Sequence, residues 1–499
     1  MTRKLRLLLI DPTSPWITNT SVLKHYDQLM LPIGLMYLSA YLKRTMADEL
    51  EIRVVSTMVD LPEPEDLDRL LLEFRPDIVG IRCVIFFSEQ ITVIAEKART
   101  LLPDALIIAG GPNVTFDNEN LRSNRNFDVL AEGEGEEILH EVVTAYCASG
   151  LDRQTERFSG IRGISYWSGD VLQRNCPRPA IENLDDLPFP DYDAIDLPKY
   201  GTYMNYGYNR RPMGILFTSR GCPFRCTYCH IVFGKGFRAR SAEGTYQEIK
   251  FLHDRYGIRD FSIVDDNFTV DKPRVEEFAN LLISRGPAVR LYFPNGVRAD
   301  SLDDGLLSKL KAAGTIYMTF SLETSSQRLQ KVIKKHANVK KLTAIVKRAC
   351  ELNIITNLCM MVGFPTETLE DALNSLKYYE QFEKVVLPYY FSVKYYPGTE
   401  LFHTAAEHGI QIDSTSYQTP YHGYEFQETP LLSRRDFERL NQRYLRRVYL
   451  NPQRIRNAVS ILENHFSMDE IKEMFTLFFR RKITDIQQDI LQPLELTPT

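Results

Sequence analysis

Short runs of Val, Ile and Leu alternate with longer stretches whose apolar residues recur at helical spacing through the first 150 residues. The runs are Leu5–Ile10, Ile52–Val59, Ile78–Ile85, Ala105–Ala109 and Val129–Ala131. Between them lie Gly34–Leu42, Pro64–Phe74, Ser88–Leu102 and Glu136–Tyr146. Near-continuous apolar strands joined by amphipathic helices predict a parallel sheet covered on both faces, an α/β doubly wound, Rossmann-like domain over residues 1–150. Such sheets take ligands beyond the carboxyl ends of their strands. Those ends carry Asp11-Pro12, Val84–Ser88, Gly110-Gly111-Pro112 and Glu132-Gly133-Glu134-Gly135.

Residues 151–205 read as a connector. Within it Ile161–Arg174 has the pattern of a hairpin turning at Ser168-Gly169-Asp170, and Leu184–Tyr192 is acidic and proline-rich. Alternation then resumes over 206–425 with six strand candidates: Gly214–Ser219, Asp260–Val264, Arg290–Phe293, Tyr317–Leu322, Thr356–Met361 and Tyr389–Lys394. Six is two short of a closed eight-stranded ring, so a partial (β/α)6 barrel is expected, with functional residues where its strands end. Residues 426–499 show no strand alternation and read as helices. Phe437, Leu440, Tyr444 and Val448 form an apolar stripe flanked by Arg434, Arg435, Arg439, Arg443, Arg446 and Arg447, which a solvated basic face explains better than an anionic partner.

Length favours more than one core, since 499 residues exceed what one hydrophobic core ordinarily serves. A net charge of -5 gives no reason to expect nucleic-acid binding. No apolar run reaches the length of a membrane span. Met1–Ile10 mimics a signal peptide, but Asp11-Pro12 follows at once without a small-residue cleavage site; a first buried strand and a cytoplasmic location are expected.

Eight cysteines are present, and only Cys222, Cys226 and Cys229 are clustered. Their C-x3-C-x2-C spacing directly follows the first predicted barrel strand. Three thiolates are one short of the usual complement of a 4Fe-4S cubane, which leaves one iron free for another ligand. A zinc site using His230 competes with this reading, but adjacent Cys229 and His230 fit one tetrahedron poorly. Incidental burial of the three thiols is the other alternative. Cys350 and Cys359 are expected to pack in the barrel wall.

The segment Gly221-Cys-Pro-Phe-Arg-Cys-Thr-Tyr-Cys229, with Tyr228 before the last cysteine, resembles the hallmark of the radical S-adenosylmethionine superfamily. The resemblance continues over 213–400. Asp265-Asp266-Asn267 stands where that family contacts the methionine amine, with Asp265 the expected contact. Ser321-Leu322-Glu323-Thr324 resembles the segment whose acidic residue, here Glu323, contacts the ribose or methionyl end. Gly363-Phe364-Pro365 is similar to the adenine-contacting turn, and Tyr396-Pro397-Gly398-Thr399 closes the sixth strand as in relatives. The resemblance implies a 4Fe-4S cluster on Cys222, Cys226 and Cys229, S-adenosylmethionine as cofactor, and a deoxyadenosyl radical as reagent. It also implies a flavodoxin or ferredoxin-type electron donor.

A doubly wound domain ahead of such a barrel resembles the cobalamin-binding branch. Leu31–Leu42, Gly110-Gly111-Pro112 and Glu132-Gly133-Glu134-Gly135 stand as in that branch, and glycines at strand ends admit a large flat ligand. The Asp-x-His-x-x-Gly motif that supplies a cobalt ligand is absent, and His25 lacks its context. A degenerate domain without corrinoid is the alternative. No second cysteine triad supports a methylthiotransferase. The resemblance implies cobalamin-dependent methyl transfer to an unactivated carbon of a small molecule. Oxidative cyclisation or ring rearrangement with the same cofactors, or a non-catalytic cobalamin or metal sensor, are the other readings. Tyr395 and Tyr396 are candidates to shield a radical, though core packing explains them equally well.

Overall fold

The computed structural model describes residues 3–13, 16, 31–46, 49–116, 119–151, 155–200, 212–230, 232–412 and 426–476. His25 lies outside the described residues. Two sheets, one mostly and one wholly parallel, dominate the described residues. The first is seven-stranded: β1 (Leu5–Asp11), β2 (Leu50–Ser56), β3 (Ile78–Arg82), β4 (Leu106–Gly110), β5 (Val129–Ala131), β6 (Ile164–Ser168) and β7 (Val171–Arg174). Its order is β2-β1-β3-β4-β5-β6-β7, with β1 to β5 parallel and the hairpin β6–β7 antiparallel.

Successive side chains of a strand leave on opposite faces, and the two cores of this sheet follow that rule. Leu5, Leu7 and Leu9 join Leu106 and Ile108 beneath the helices Ile33–Met46 and Gly135–Ala148. Leu8 and Ile10 join Val79, Ile81 and Ile107 beneath Pro64–Phe74 and Ser88–Leu101. The five apolar runs are all strands, shifted by a few residues; Ile52–Val59 overshoots because the chain turns after Ser56. One assignment changes. The hairpin is not part of a connector but pairs Val129–Ala131 with Ile164–Tyr166, so it completes the sheet.

The second sheet contains β8 (Met213–Leu216), β11 (Asp260–Ile263), β12 (Arg290–Val297), β13 (Thr315–Glu323), β14 (Ile355–Val362) and β15 (Leu387–Ser392) in the order β15-β14-β13-β12-β11-β8, all parallel. The first and last strands do not pair with each other, so this is an open six-stranded barrel. Between β8 and β11 a small antiparallel ribbon, β9 (Ser219–Arg220) with β10 (Arg238–Ala239), stands at the base of the cysteine loop.

The open edge at β15 is blunted by composition and by cover. Pro388 has no N–H to offer, and its carbonyl accepts from Tyr444 at 2.5 Å and Tyr449 at 2.8 Å. Both tyrosines come from the C-terminal helical segment. Phe437, Leu440, Tyr444 and Val448 are buried as their spacing implies, and Arg434, Arg435, Arg439, Arg446 and Arg447 are exposed. A later helix, Pro452–Leu462, places Ile461 and Leu462 against Met213, Tyr292, Tyr317 and Ile355 at the foot of the barrel. No described helix is long and apolar enough to cross a membrane.

Candidate functional site

The cysteine loop is fixed at its middle by the barrel. The Thr227 amide donates to the Ile333 carbonyl at 3.0 Å, and the Leu401 amide donates to the Thr227 carbonyl at 2.9 Å. The Cys229 amide donates to Cys226, closing a turn, and the Cys222 amide donates to Gly234. Gly221 needs its lack of a side chain: its φ is +83°, and a Cβ would stand 2.3 Å from the Gly236 carbonyl oxygen. The three thiols feel one another. Burial pushes Cys229 up to about 12, and the Cys226 and Cys222 sulfurs push in the same direction. Cys222 is also raised, first by burial, with Asp266 and Cys226 adding to it.

Three soft thiols in one short loop match the ligand set of a cluster whose irons supply positive charge. Among the described residues no three ligating side chains converge as they would on one metal ion. A cubane does not ask for that, because each thiolate takes a separate iron.

Around the thiols the sequence-based assignments divide. Asp265 is buried and its carboxylate is taken: one oxygen accepts from the Thr218 amide, the other from the Thr218 and Ser219 hydroxyls, each at 2.6 Å. Arg274 supplies the countercharge. Asp265 therefore braces the turn before the cysteine loop rather than facing a cofactor. Asp266 faces the thiols instead. The Gly221 amide donates to it, and its Oδ2 is buried without a partner. Burial, and then Asp265, raise it to about 6.

Glu323 ends β13 with φ +63°, a strained conformation for a residue with a side chain and one that recurs at functional sites. Its Oε1 accepts from Lys335 Nζ at 2.7 Å and from the Tyr228 hydroxyl at 3.1 Å. Lys335 also donates to the Tyr228 oxygen at 3.2 Å. Tyr228 is thereby tied to the strand end, and burial followed by the Glu323 charge holds its hydroxyl well above the usual range. Sequence reading missed Lys335, which lies outside every motif. Ser321 packs against β12: a Cβ on Gly296 would meet its Oγ at 2.5 Å.

The Gly363-Phe364-Pro365 turn is buried and is locked by a residue not anticipated. Glu367 accepts from the Gly363 amide at 2.6 Å and the Phe364 amide at 3.2 Å, while its Oε1 is buried and unpartnered. Burial raises Glu367 to about 8. Tyr395 donates to the Gly363 carbonyl at 2.6 Å, so it packs as a support for this turn. Thr399 caps the helix Glu400–Glu407. Cys350 packs in the wall, but Cys359 does not: its thiol joins Asn357, Thr319 and Tyr317 in a polar network in the barrel interior.

At the N-terminal sheet the glycine-rich ends also divide. Gly111, with φ +105°, would bring a Cβ within 3.0 Å of the Cys83 carbonyl, so the fold itself demands glycine there. Gly110 is half-buried and would meet only Ala131 Cβ at 3.7 Å, leaving room above it. Pro112 opens the short helix Pro112–Phe116. Beside these lie the half-buried Val84, Ile85 and Phe86, an apolar shelf at the strand ends suited to a large flat ligand.

The Glu132–Gly135 loop adjoins that shelf, with the Gly133 amide donating to the Thr115 hydroxyl at 3.1 Å, but its two carboxylates turn to the protein. Glu132 accepts from Ser165 at 3.0 Å and Arg174 at 2.6 Å, and Glu134 accepts from Arg238 at 2.5 Å and Arg220 at 3.1 Å. Gly133 is exposed with φ +98°, and Gly135 begins the helix Gly135–Ala148 against Leu38. These carboxylates are engaged by the protein, which corrects their assignment as corrinoid contacts.

The carboxyl ends of the two sheets face each other. Phe86 meets Tyr396 edge-on at 6.2 Å, and Phe116 stacks on His230 at 5.2 Å.

Comparisons with known proteins follow the same division. The B12 binding domain family matches residues 20–143, and the Radical SAM superfamily matches 216–379. An uncharacterized methyltransferase of Pyrococcus horikoshii is 27% identical over 411 residues, covering 82% of this chain and 84% of the relative. An anaerobic magnesium-protoporphyrin IX monomethyl ester cyclase of Cereibacter sphaeroides is also 27% identical, over 68% of this chain and 54% of its own length. The cobalamin-dependent S-adenosylmethionine radical enzyme OxsB, solved with aqua-cobalamin and S-adenosylmethionine, superposes with a TM-score of 0.71 at 15% identity, covering 97% of this chain and 72% of OxsB. With both families matched in tandem on the two sheets that carry the shelf and the thiols, the chain belongs to the cobalamin-binding radical S-adenosylmethionine enzymes, which use a 4Fe-4S cluster, S-adenosylmethionine and cobalamin.

Proposed function

We propose that the chain is a cobalamin-dependent C-methyltransferase acting on an unactivated carbon of a small molecule in a biosynthetic pathway. The observation that carries this reading is the apposition of the two sheets through Phe86, Tyr396, Phe116 and His230, which gives ligands of both sheets one shared cleft. When bound, the cluster supplies the electron that splits S-adenosylmethionine, and the corrinoid supplies the methyl group.

The residues of the chain bind, orient and exclude water. Asp266, with its unpartnered oxygen beside the thiols, holds the methionine amine. Glu323, pinned by Lys335 and Tyr228, presents its remaining oxygen to the ribose or methionyl end. The Glu367-locked turn forms a rigid wall for adenine. Half-buried aromatic rings at the sheet junction keep water from the reacting carbon. A flavodoxin or ferredoxin-type protein delivers the electron.

The relatives include a methyltransferase and a cyclase at equal identity, which keeps oxidative cyclisation as a second reading. The test is reduced holoenzyme incubated with a cellular metabolite extract and S-adenosylmethionine labelled with carbon-13 in its methyl group. A product heavier by a labelled methyl is expected. An unlabelled product lighter by hydrogens would favour the cyclase, and absence of 5′-deoxyadenosine would sink both.

A further inference from the structure

The ribbon beneath the cysteine loop poses a charge problem. Arg220 on β9 lies directly opposite Arg238 on β10, and like charges facing across an antiparallel pair destabilise it. Neither has free access to water: the side chains are 6% and 14% exposed. The neutralising charges come from the other sheet. Glu134 bridges the two guanidiniums, one oxygen 2.5 Å from Arg238 and the other 3.1 Å from Arg220, and Glu136 takes Arg220 at 2.5 Å. Two carboxylates thus balance two guanidiniums inside the protein.

The far end of the loop is gripped from the same side. His230 follows Cys229, and its ring lies on Phe116 with the planes 14° apart, while Nε2 is 2.6 Å from the Pro397 carbonyl. The barrel secures the middle of the loop at Thr227 and shares the His230 end through Pro397 and Tyr396; side chains of the N-terminal half neutralise the Arg220 end and stack on His230.

We propose that Glu134, Glu136 and Phe116 are positioning residues for the iron–sulfur cluster, so that the corrinoid-binding half of the chain is a structural component of the cluster site. Removing the acids leaves two buried cations opposed across the ribbon, and breaking a buried pair from one side is far more disruptive than removing both partners. Cys222, two residues beyond Arg220, then loses its fixed direction.

The test uses the full chain, reconstituted anaerobically with iron, sulfide and cobalamin. It reads the electron paramagnetic resonance of the reduced cluster, the change in that signal on adding S-adenosylmethionine, and the iron and corrinoid contents. In Glu134→Gln/Glu136→Gln the signal is expected to broaden into more than one species and its response to S-adenosylmethionine to shrink, with corrinoid content retained. Adding Arg220→Gln and Arg238→Gln, which removes the opposed charges, should restore a single species. Glu132→Gln, on the same loop but bonded to the hairpin, should leave the signal as in the wild type. Phe116→Leu gives an independent arm if the acidic variant does not fold, and a changed signal is expected there too. Wild-type signals in the Glu134/Glu136 and Phe116 variants would overturn the proposal, as would an equal disturbance by Glu132→Gln or a failure of the arginine substitutions to restore the signal.

Discussion

Asp265 and Asp266 are chemically identical neighbours with opposite employment. Asp265 satisfies three donors and the buried Arg274, so Asp265→Ala strands a cation and should cost about 3–5 kcal/mol of stability, read by denaturant unfolding. Asp266→Asn should leave stability nearly unchanged and weaken S-adenosylmethionine binding by roughly 1.5–3 kcal/mol, measured by calorimetry on the oxidised holoenzyme. Equal binding in wild type and Asp266→Asn would remove this residue from the site. The sequence shows two acids at a strand end; which one turns inward depends on Thr218, Ser219 and Arg274, whose positions no local pattern reveals. Glu367 carries a pH signature. Its pKa rises from the ordinary 4.5 to about 8, so the folded state binds the proton more tightly than the unfolded chain. That contribution is fully present below 4.5 and is lost as pH climbs through about 8. Glu367→Gln, which can still accept from Gly363 and Phe364, should flatten the fall in melting temperature across that window.

At the level of the element, the end of β4 separates the needs of the fold from those of a ligand. Gly111→Ala places a side chain at φ +105° against the Cys83 backbone and should destabilise the N-terminal sheet by about 1–3 kcal/mol, seen in thermal unfolding. Gly110→Ala meets only ordinary contact and should leave unfolding unchanged, so a loss of cobalamin uptake in that variant would report on ligand space. The strands were legible because buried parallel strands are apolar throughout and short; β5, Val129–Ala131, is where the pattern places it. The partners of Glu132 and Glu134 were not legible because acids at a strand end look alike whether they meet a ligand or dock a distant arginine. Arg220 is 86 residues from Glu134 in sequence, and nothing local couples them.

At the level of the whole molecule, the C-terminal segment acts as the floor of an open barrel. Ile461→Ala should cost roughly 2–5 kcal/mol, because it opens a cavity in the buried cluster that Ile461 shares with Leu462, Ile471, Tyr292, Tyr317 and Ile355. Equilibrium denaturation would show it, and a loss below 1 kcal/mol, near the size of a surface substitution, would mean the floor is loosely packed. The helical character of this segment could be read from its stripe of Phe437, Leu440, Tyr444 and Val448. Its target could not, since the stripe says which face is buried and not which strand it meets.

The hairpin β6–β7 also sets an order of events. It completes the first sheet at Arg174, and Cys222 lies 48 residues later, counted from 174 to 222. At a synthesis rate of about 5–20 residues per second, the whole N-terminal sheet clears the ribosome a few seconds before the first cluster thiol. Glu134, Glu136 and Phe116 are therefore already in place when Arg220 emerges. The newborn cysteine loop thus meets its N-terminal partners before Ile333 and Leu401, which grip Thr227, have been made.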